Sequence, residues 1–193
     1  MKTLEEIYEN YKDGMGCGDK GTTHSYIEYY QALFEPYRET YTDILEIGVA
    51  PFAYSIRMWN DYFTNATIHG IDIRESDDGS SERSVLRYND DKIKVNVGDA
   101  SKKQDIDRLF LHNTFDFILD DGGHSLRDQL MSFKYLFPKV KPGGLYLIED
   151  IQEFHEPAIA DIFKDIHPNV EIVDRRYIKN RYDDIIVVVR KDK

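Results

Sequence analysis

Residues 115–124 read Phe-Asp-Phe-Ile-Leu-Asp-Asp-Gly-Gly-His. A short apolar run that stops abruptly at two acids and two glycines is the pattern of a buried strand, Phe115–Asp120, ending in a tight turn. Four further runs repeat it. Asp43–Val49 (DILEIGV) leads into Ala50, and Thr67–Ile73 (TIHGIDI) carries Asp72 near its end. Lys92–Val97 (KIKVNV) runs into Gly98-Asp99-Ala100, and Gly144–Glu149 (GLYLIE), entered through Pro142-Gly143-Gly144, runs into Asp150. Helices fill the intervals. Residues 54–63 place Ile56, Trp59 and Tyr62 on one face, residues 102–112 place Ile106, Leu109 and Phe110 on one face, and residues 125–137 read as a third. Helices over 3–12 and 23–36 precede this series and one over 156–166 follows it. Two strands near 170–177 and 183–190, joined by a short polar stretch, predict an antiparallel hairpin. Strands alternating with helices require right-handed crossovers. The expected fold is therefore α/β: a doubly wound, mainly parallel, seven-stranded Rossmann-like sheet closed by the hairpin. At 193 residues the chain suits a single domain, 1–193.

Composition narrows the function. Asp and Glu number 36 against 25 Lys and Arg, a net charge of −11, which repels phosphate backbones and anionic lipid. No window approaches the ~18 apolar residues of a membrane span, and the charged start MKTLEEIYENYKD is not a signal peptide. A single cysteine, Cys17, excludes an internal disulfide and fits a reducing, cytoplasmic setting. No nucleic-acid or membrane partner is expected.

The strand ends carry the chemistry. Five successive strands deliver carboxylates to one edge, where ligands of doubly wound sheets bind. Singly, each has a plain explanation: Asp72 or Asp99 as a helix cap, Gly48 as a turn residue, Glu149-Asp150 as a solvated strand end. Their concentration on one edge has none. A glycine after the first strand lets a ligand approach the backbone, an acid after the second accepts from ribose hydroxyls, and an acid after the third accepts from an adenine amine. That is an adenosine site. A dinucleotide fingerprint would need glycine at Ala50 and Ala53, and no phosphate loop is present. The acidic edge favours a cationic nucleoside over a pyrophosphate.

The motifs LEIGV, GIDI, VGDA, FILDDGGH, LFPKVKPGGLYLIEDI and DKGTTHSYIEYY together resemble class I S-adenosylmethionine-dependent methyltransferases. Within that class they resemble the metal-dependent sugar O-methyltransferases of natural-product pathways, the mycinamicin and rhamnosyl O-methyltransferase group, over roughly residues 18–152. The resemblance implies the following roles. Glu46 and Gly48 belong to the cofactor loop, Asp72 to the ribose, Asp99 with Ala100 to the adenine, and Asp120 to the methionine end. Asp121, Glu149 and Asp150 hold Mg²⁺ or Ca²⁺, and His124 is the general base beside Asp121. Lys20, Thr22 and His24 lie in a helical segment, 1–38, that covers the cofactor. The acceptor is a sugar or small polyol hydroxyl. Alternation along a strand sends Asp120 and Asp121 to opposite faces, and neighbouring strands ~4.8 Å apart let Asp121 meet Glu149-Asp150. All-oxygen ligation points to Mg²⁺ or Ca²⁺ rather than zinc.

Departures from the pattern keep other readings open. Ala50-Pro51-Phe52-Ala53-Tyr54-Ser55 replaces glycines usual in the family, as it would in a binding protein that retains the fold without catalysis. Relatives labelled as hydroxylases share the DDG-x-H arrangement, but no two-His-one-carboxylate set stands out here. The basic cluster Arg175, Arg176, Lys179 and Arg181 reads as a solvated hairpin, or else as a contact to an anionic substrate. The aromatic run Tyr26, Tyr29, Tyr30, Phe34 and Tyr37 suits a second copy as well as its own core, which leaves a homo-oligomer open.

Overall fold

The structure, a computed structural model, describes residues 1–12, 18–76, 78–152 and 156–193, the last stretch without the side chains of 156–160. Cys17, Gly14, Gly16 and His155 lie outside the described residues. The helices are α1 (Leu4–Tyr8), α2 (Asp19–Thr22), α3 (Tyr26–Phe34), α4 (Tyr54–Tyr62), α5 (Lys103–Phe110), α6 (Leu126–Leu136), α7 (Glu156–Ile166) and α8 (Arg176–Lys179). The strands are β1 (Asp43–Ile47), β2 (Thr67–Asp72), β3 (Ile93–Val97), β4 (Phe115–Asp120), β5 (Val140–Ile148), β6 (Val170–Asp174) and β7 (Ile185–Arg190). They form one seven-stranded sheet in the order β3-β2-β1-β4-β5-β7-β6. The first five are parallel to one another, and β7 runs antiparallel to both β5 and β6. The direction of winding reverses between β1 and β4, so the ligand crevice opens at their carboxyl ends.

Each face of the sheet buries its own layer. On one, Tyr30 and Phe34 of α3 and Trp59 of α4 pack with Ile44, Phe117, Leu119, Leu145 and Leu147. On the other, Ile106 and Phe110 of α5 and Phe133 and Leu136 of α6 pack with Leu45, Ile47, Ile118, Tyr146 and Ile148. The parity of these residues decides where the acids go. Glu46, Asp121 and Glu149 share the parity of Ile44, Leu119 and Leu147, and so face α3 and α4. Asp120 shares the parity of Ile118 and faces the α6 side.

Three details differ from the sequence expectations. Strand β5 starts at Val140, ahead of the Pro-Gly-Gly turn, because Gly143 at φ +79° lets the strand bulge and continue while its pairing with β4 slips between Phe115 and Phe117. Helix α1 closes at Tyr8 rather than residue 12. Helices α2 and α8 have four residues each, too few to show a helical period. Among the described residues, no helix is long and apolar enough to cross a membrane.

Candidate active site

A cavity of about 550 Å³ opens at the carboxyl ends of β1, β2, β3 and β4. Of the residues singled out from the sequence, Lys20, Gly48, Asp72, Asp99, Ala100 and Asp121 line it; Thr22, His24, Glu46, Asp120, His124, Glu149 and Asp150 do not. Gly48, at φ +84°, is the floor. A Cβ there would lie 2.0 Å from the Asp121 carbonyl oxygen, so no side chain fits. Asp72 organises the loop above it: one carboxylate oxygen accepts from the Val49 and Ala50 amides at 2.9 and 3.1 Å, the other from the Arg74 amide at 3.0 Å. A carboxylate accepts about four hydrogen bonds, so Asp72 keeps capacity toward the cavity. Asp99 accepts from the Ser101 amide and hydroxyl at 2.9 and 2.6 Å and pairs with Lys102. Burial pushes its carboxyl up, but these bonds outweigh it and hold the group below its ordinary value.

The loop's missing glycines leave a mark on the backbone. Ala50 and Ala53, the two positions where a dinucleotide fingerprint would carry glycine, both adopt left-handed φ, +56° and +47°. The backbone follows a glycine-type path with alanine in place, at a cost of about 1 kcal/mol per residue. Ala50 is exposed, so Ala50→Gly should relieve strain without opening a cavity. The variant is expected to melt about 2–4 °C higher than the parent; an unchanged or lower melting temperature would contradict the strain.

Beside the cavity lies a carboxylate cluster that parity assembles. Glu46, Asp121 and Glu149 converge on the Lys20 ammonium, which is 3 % exposed. Lys20 Nζ lies 2.7 Å from Asp121 and 3.6 Å from Glu46, and donates to Glu149. Tyr30 donates to the other Glu149 oxygen at 2.5 Å, and Trp59 Nε1 donates to Glu46 at 2.9 Å. Asp150, at a left-handed φ of +55°, turns back toward Asp121; it accepts from Tyr26 at 2.7 Å and lies 3.4 Å from His24 Nδ1. Ligand atoms of Asp121, His124 and Asp150 all lie within 4.8 Å of one another. The structure thus joins Asp121 and Asp150 to His124, while Glu149 is engaged by Lys20 and Tyr30. Glu46 is fully buried beneath the cluster. Asp120 packs on the opposite face, accepting from Tyr146 at 3.0 Å and from the Gly122 amide at 3.3 Å, and braces the turn.

Three acids share one buried ammonium here, with Asp150 beside them. Burial raises the Lys20 desolvation cost, yet Asp121, Glu149 and Glu46 overcome it and hold the ammonium protonated. Burial, with repulsion from Asp121 and Asp150, pushes Glu149 well up. Burial pushes Glu46 up to about 7, Asp120 to about 7 and Asp150 to about 6. Such acids bind protons in the folded state that they release when unfolded. Their stabilising contribution is complete at acid pH and is lost as pH rises through about 6 to 7. The metal-free protein should accordingly melt lower at about pH 8 than at about pH 5, and a melting temperature that rises over that interval would contradict the shifts.

Residues 45–151 match the model of the family Methyltransf_24, described as a methyltransferase domain. The chain belongs to this methyltransferase domain family. The methyltransferase domain is 30% identical over 154 residues to 8-demethyl-8-alpha-L-rhamnosyl tetracenomycin-C 2'-O-methyltransferase of Streptomyces olivaceus, covering 76% of this chain and 38% of the relative. It is 33% identical over 147 residues to mycinamicin VI 2''-O-methyltransferase of Micromonospora griseorubida, covering 72% and 35%. The chain thus spans little more than a third of the length of these relatives. Its fold matches that of the MycE methyltransferase from the mycinamycin biosynthetic pathway, solved with Mg, SAH and mycinamycin VI, at a TM-score of 0.73 and 24% identity over 99% of this chain and 55% of that one. It also matches an O-methyltransferase from Bacillus cereus solved with SAH, at a TM-score of 0.62 and 19% identity over 98% and 90%.

Several residues of the site were invisible to motif reading. Tyr26 and Tyr30 read as packing residues, yet their hydroxyls hold Asp150 and Glu149. Asp184, fully buried, lies 2.7 Å from His24 Nδ1 and accepts from Ser25 Oγ at 2.6 Å. The basic cluster lies on the largely exposed connection of the β6–β7 hairpin, and its side chains have partners within the protein. Arg176 pairs with Asp174 and Arg181 with Asp183, while Arg175 and Lys179 reach the backbone of residues 21–25.

Proposed function

We propose that this single domain is an S-adenosylmethionine-dependent, divalent-cation-assisted O-methyltransferase that works in the cytoplasm on a hydroxyl of a sugar or sugar-bearing natural product. The observation that carries the reading is the adjacency of two built features: an adenosine-sized cavity edged by Gly48, Asp72 and Asp99, and a carboxylate cluster with His124 at its side. The curated relatives are named as sugar O-methyltransferases, and the −11 charge argues for a small acceptor over nucleic acid.

The residues fit the groups this reaction needs. Carboxylates outnumber the one ammonium of the cluster, an excess of acid that a dication and a sulfonium would offset. Carboxylate oxygens suit Mg²⁺ or Ca²⁺. Asp121 and Asp150, with Glu149 completing the set, would hold the ion, which when bound lowers the pKa of a coordinated hydroxyl. Asp72 and Asp99 orient the cofactor through its ribose and adenine. Lys20 keeps Asp121 and Glu149 in place. His124, exposed at the rim, accepts the hydroxyl proton, so the attacking oxygen carries a lone pair for the methyl carbon as the carbon–sulfur bond breaks. Holding oxygen, carbon and sulfur in line supplies most of the acceleration.

Calorimetric titration with S-adenosylhomocysteine tests the reading. Binding is expected, and tighter with Mg²⁺ present. Absence of binding with and without Mg²⁺ would end it.

A further inference from the structure

Helix α2 is one turn long, and its N-cap, Gly18, supplies no side-chain hydrogen bond. An isolated turn of this kind has no stability of its own. Yet Gly18, Asp19 and Lys20 wall the cavity, and Lys20 sets the charge of the carboxylate cluster. Something outside the segment must hold it.

Tyr8 of α1 holds one side, donating to the Gly18 carbonyl and accepting from the Gly21 amide at 3.1 Å, and the connection between β6 and β7 holds the end of the turn. Lys179 is an exposed residue at the end of α8, but its ammonium is saturated. It donates to the carbonyls of Gly21, of Thr22 at 3.0 Å and of His24 at 2.7 Å. Three donors thus meet three acceptors at the C-terminal end of α2, where the unsatisfied carbonyls gather. Arg175 Nε donates to the Ser25 carbonyl at 2.7 Å. Asp184 completes the grip from below through His24 and Ser25. Every contact of this connection falls on residues 21–25, just past the part that walls the cavity.

We propose that Lys179, with Asp184, is a positioning residue: the β6–β7 connection latches residues 18–25 so that Lys20 stays among Glu46, Asp121 and Glu149 and the cavity keeps its wall. The proposal deepens the methyltransferase reading and rests on it for the ligand. It also gives the basic cluster a task that requires no anionic substrate.

The test is Lys179→Met in the full chain, which keeps the aliphatic stem and removes the donors. Amide hydrogen exchange of residues 19–25 is expected to rise about tenfold or more, the equivalent of one or two lost hydrogen bonds, while β1 and β4 keep parental protection. S-adenosylhomocysteine should bind about tenfold more weakly, which corresponds to about 1.4 kcal/mol, and Lys179→Arg should recover most of it. Unchanged exchange at 19–25 in Lys179→Met overturns the latch. So does faster exchange with parental S-adenosylhomocysteine affinity. If the parent itself fails to bind S-adenosylhomocysteine, the methyltransferase reading falls. The latch is then judged by exchange alone, with recovery in Lys179→Arg expected and its absence counting against it.

Discussion

Lys20→Met is expected to cost the metal-free protein about 3–5 kcal/mol, because it strips the ammonium from Glu46, Asp121 and Glu149. For a chain of this size that is a melting temperature lower by roughly 10 °C. The loss should depend on pH in a definite sense. At acid pH the raised carboxyls of Glu46 and Glu149 take up protons and the vacancy is cheap; near neutrality they must ionise without a partner, and the loss is largest. Mg²⁺ should recover more stability in the variant than in the parent, since a dication then restores charge that Lys20 no longer supplies. The measurement is a melting curve with and without MgCl₂ at two pH values. A variant that melts with the parent under all four conditions would show that Lys20 does not hold the cluster.

His124→Ala is expected to lower turnover by about 10²- to 10⁴-fold, the usual worth of a positioned general base. Its side chain is exposed at the rim and takes no part in the cavity wall, so S-adenosylhomocysteine affinity should be retained. Turnover is followed as S-adenosylhomocysteine released with a sugar acceptor, and affinity by calorimetry. Retained turnover removes His124 from the chemistry. Lost affinity together with lost turnover would instead assign it to holding the ligand set with Asp121 and Asp150.

The sheet was legible because buried parallel strands announce themselves as apolar runs: FDFILD coincides with β4, while DILEIGV and TIHGIDI contain β1 and β2 and overrun their ends by two residues and one. Strand β5 was read short because Pro142-Gly143 looks like a turn when no partner strand is visible. The cavity edge was legible at Gly48, Asp72 and Asp99 because each sits at the carboxyl end of a strand or within two residues of it. Glu46 illustrates the limit. It stands in the same LEIG motif as Gly48, yet it lies inside β1 and below the turn at Gly48, where it meets Trp59 and Lys20 instead of the cavity. Lys20 itself was marked, but not as a counter-ion, since its partners come from strands read far downstream. The grip of Lys179 on Gly21 spans 158 residues, a distance over which no local pattern carries information.

That long span has a consequence for the order in which the protein is made. Residues 18–25 leave the ribosome early, and the acids of β1, β4 and β5 follow, but the group that fastens the segment arrives only with residues 175–184. Until then the segment has the bonds of Tyr8 to Gly18 and Gly21 and lacks those of Arg175, Lys179 and Asp184. Strand β7, which completes the sheet beside β5, follows directly on that connection, so the last part of the core and the grip on residues 21–25 are made together.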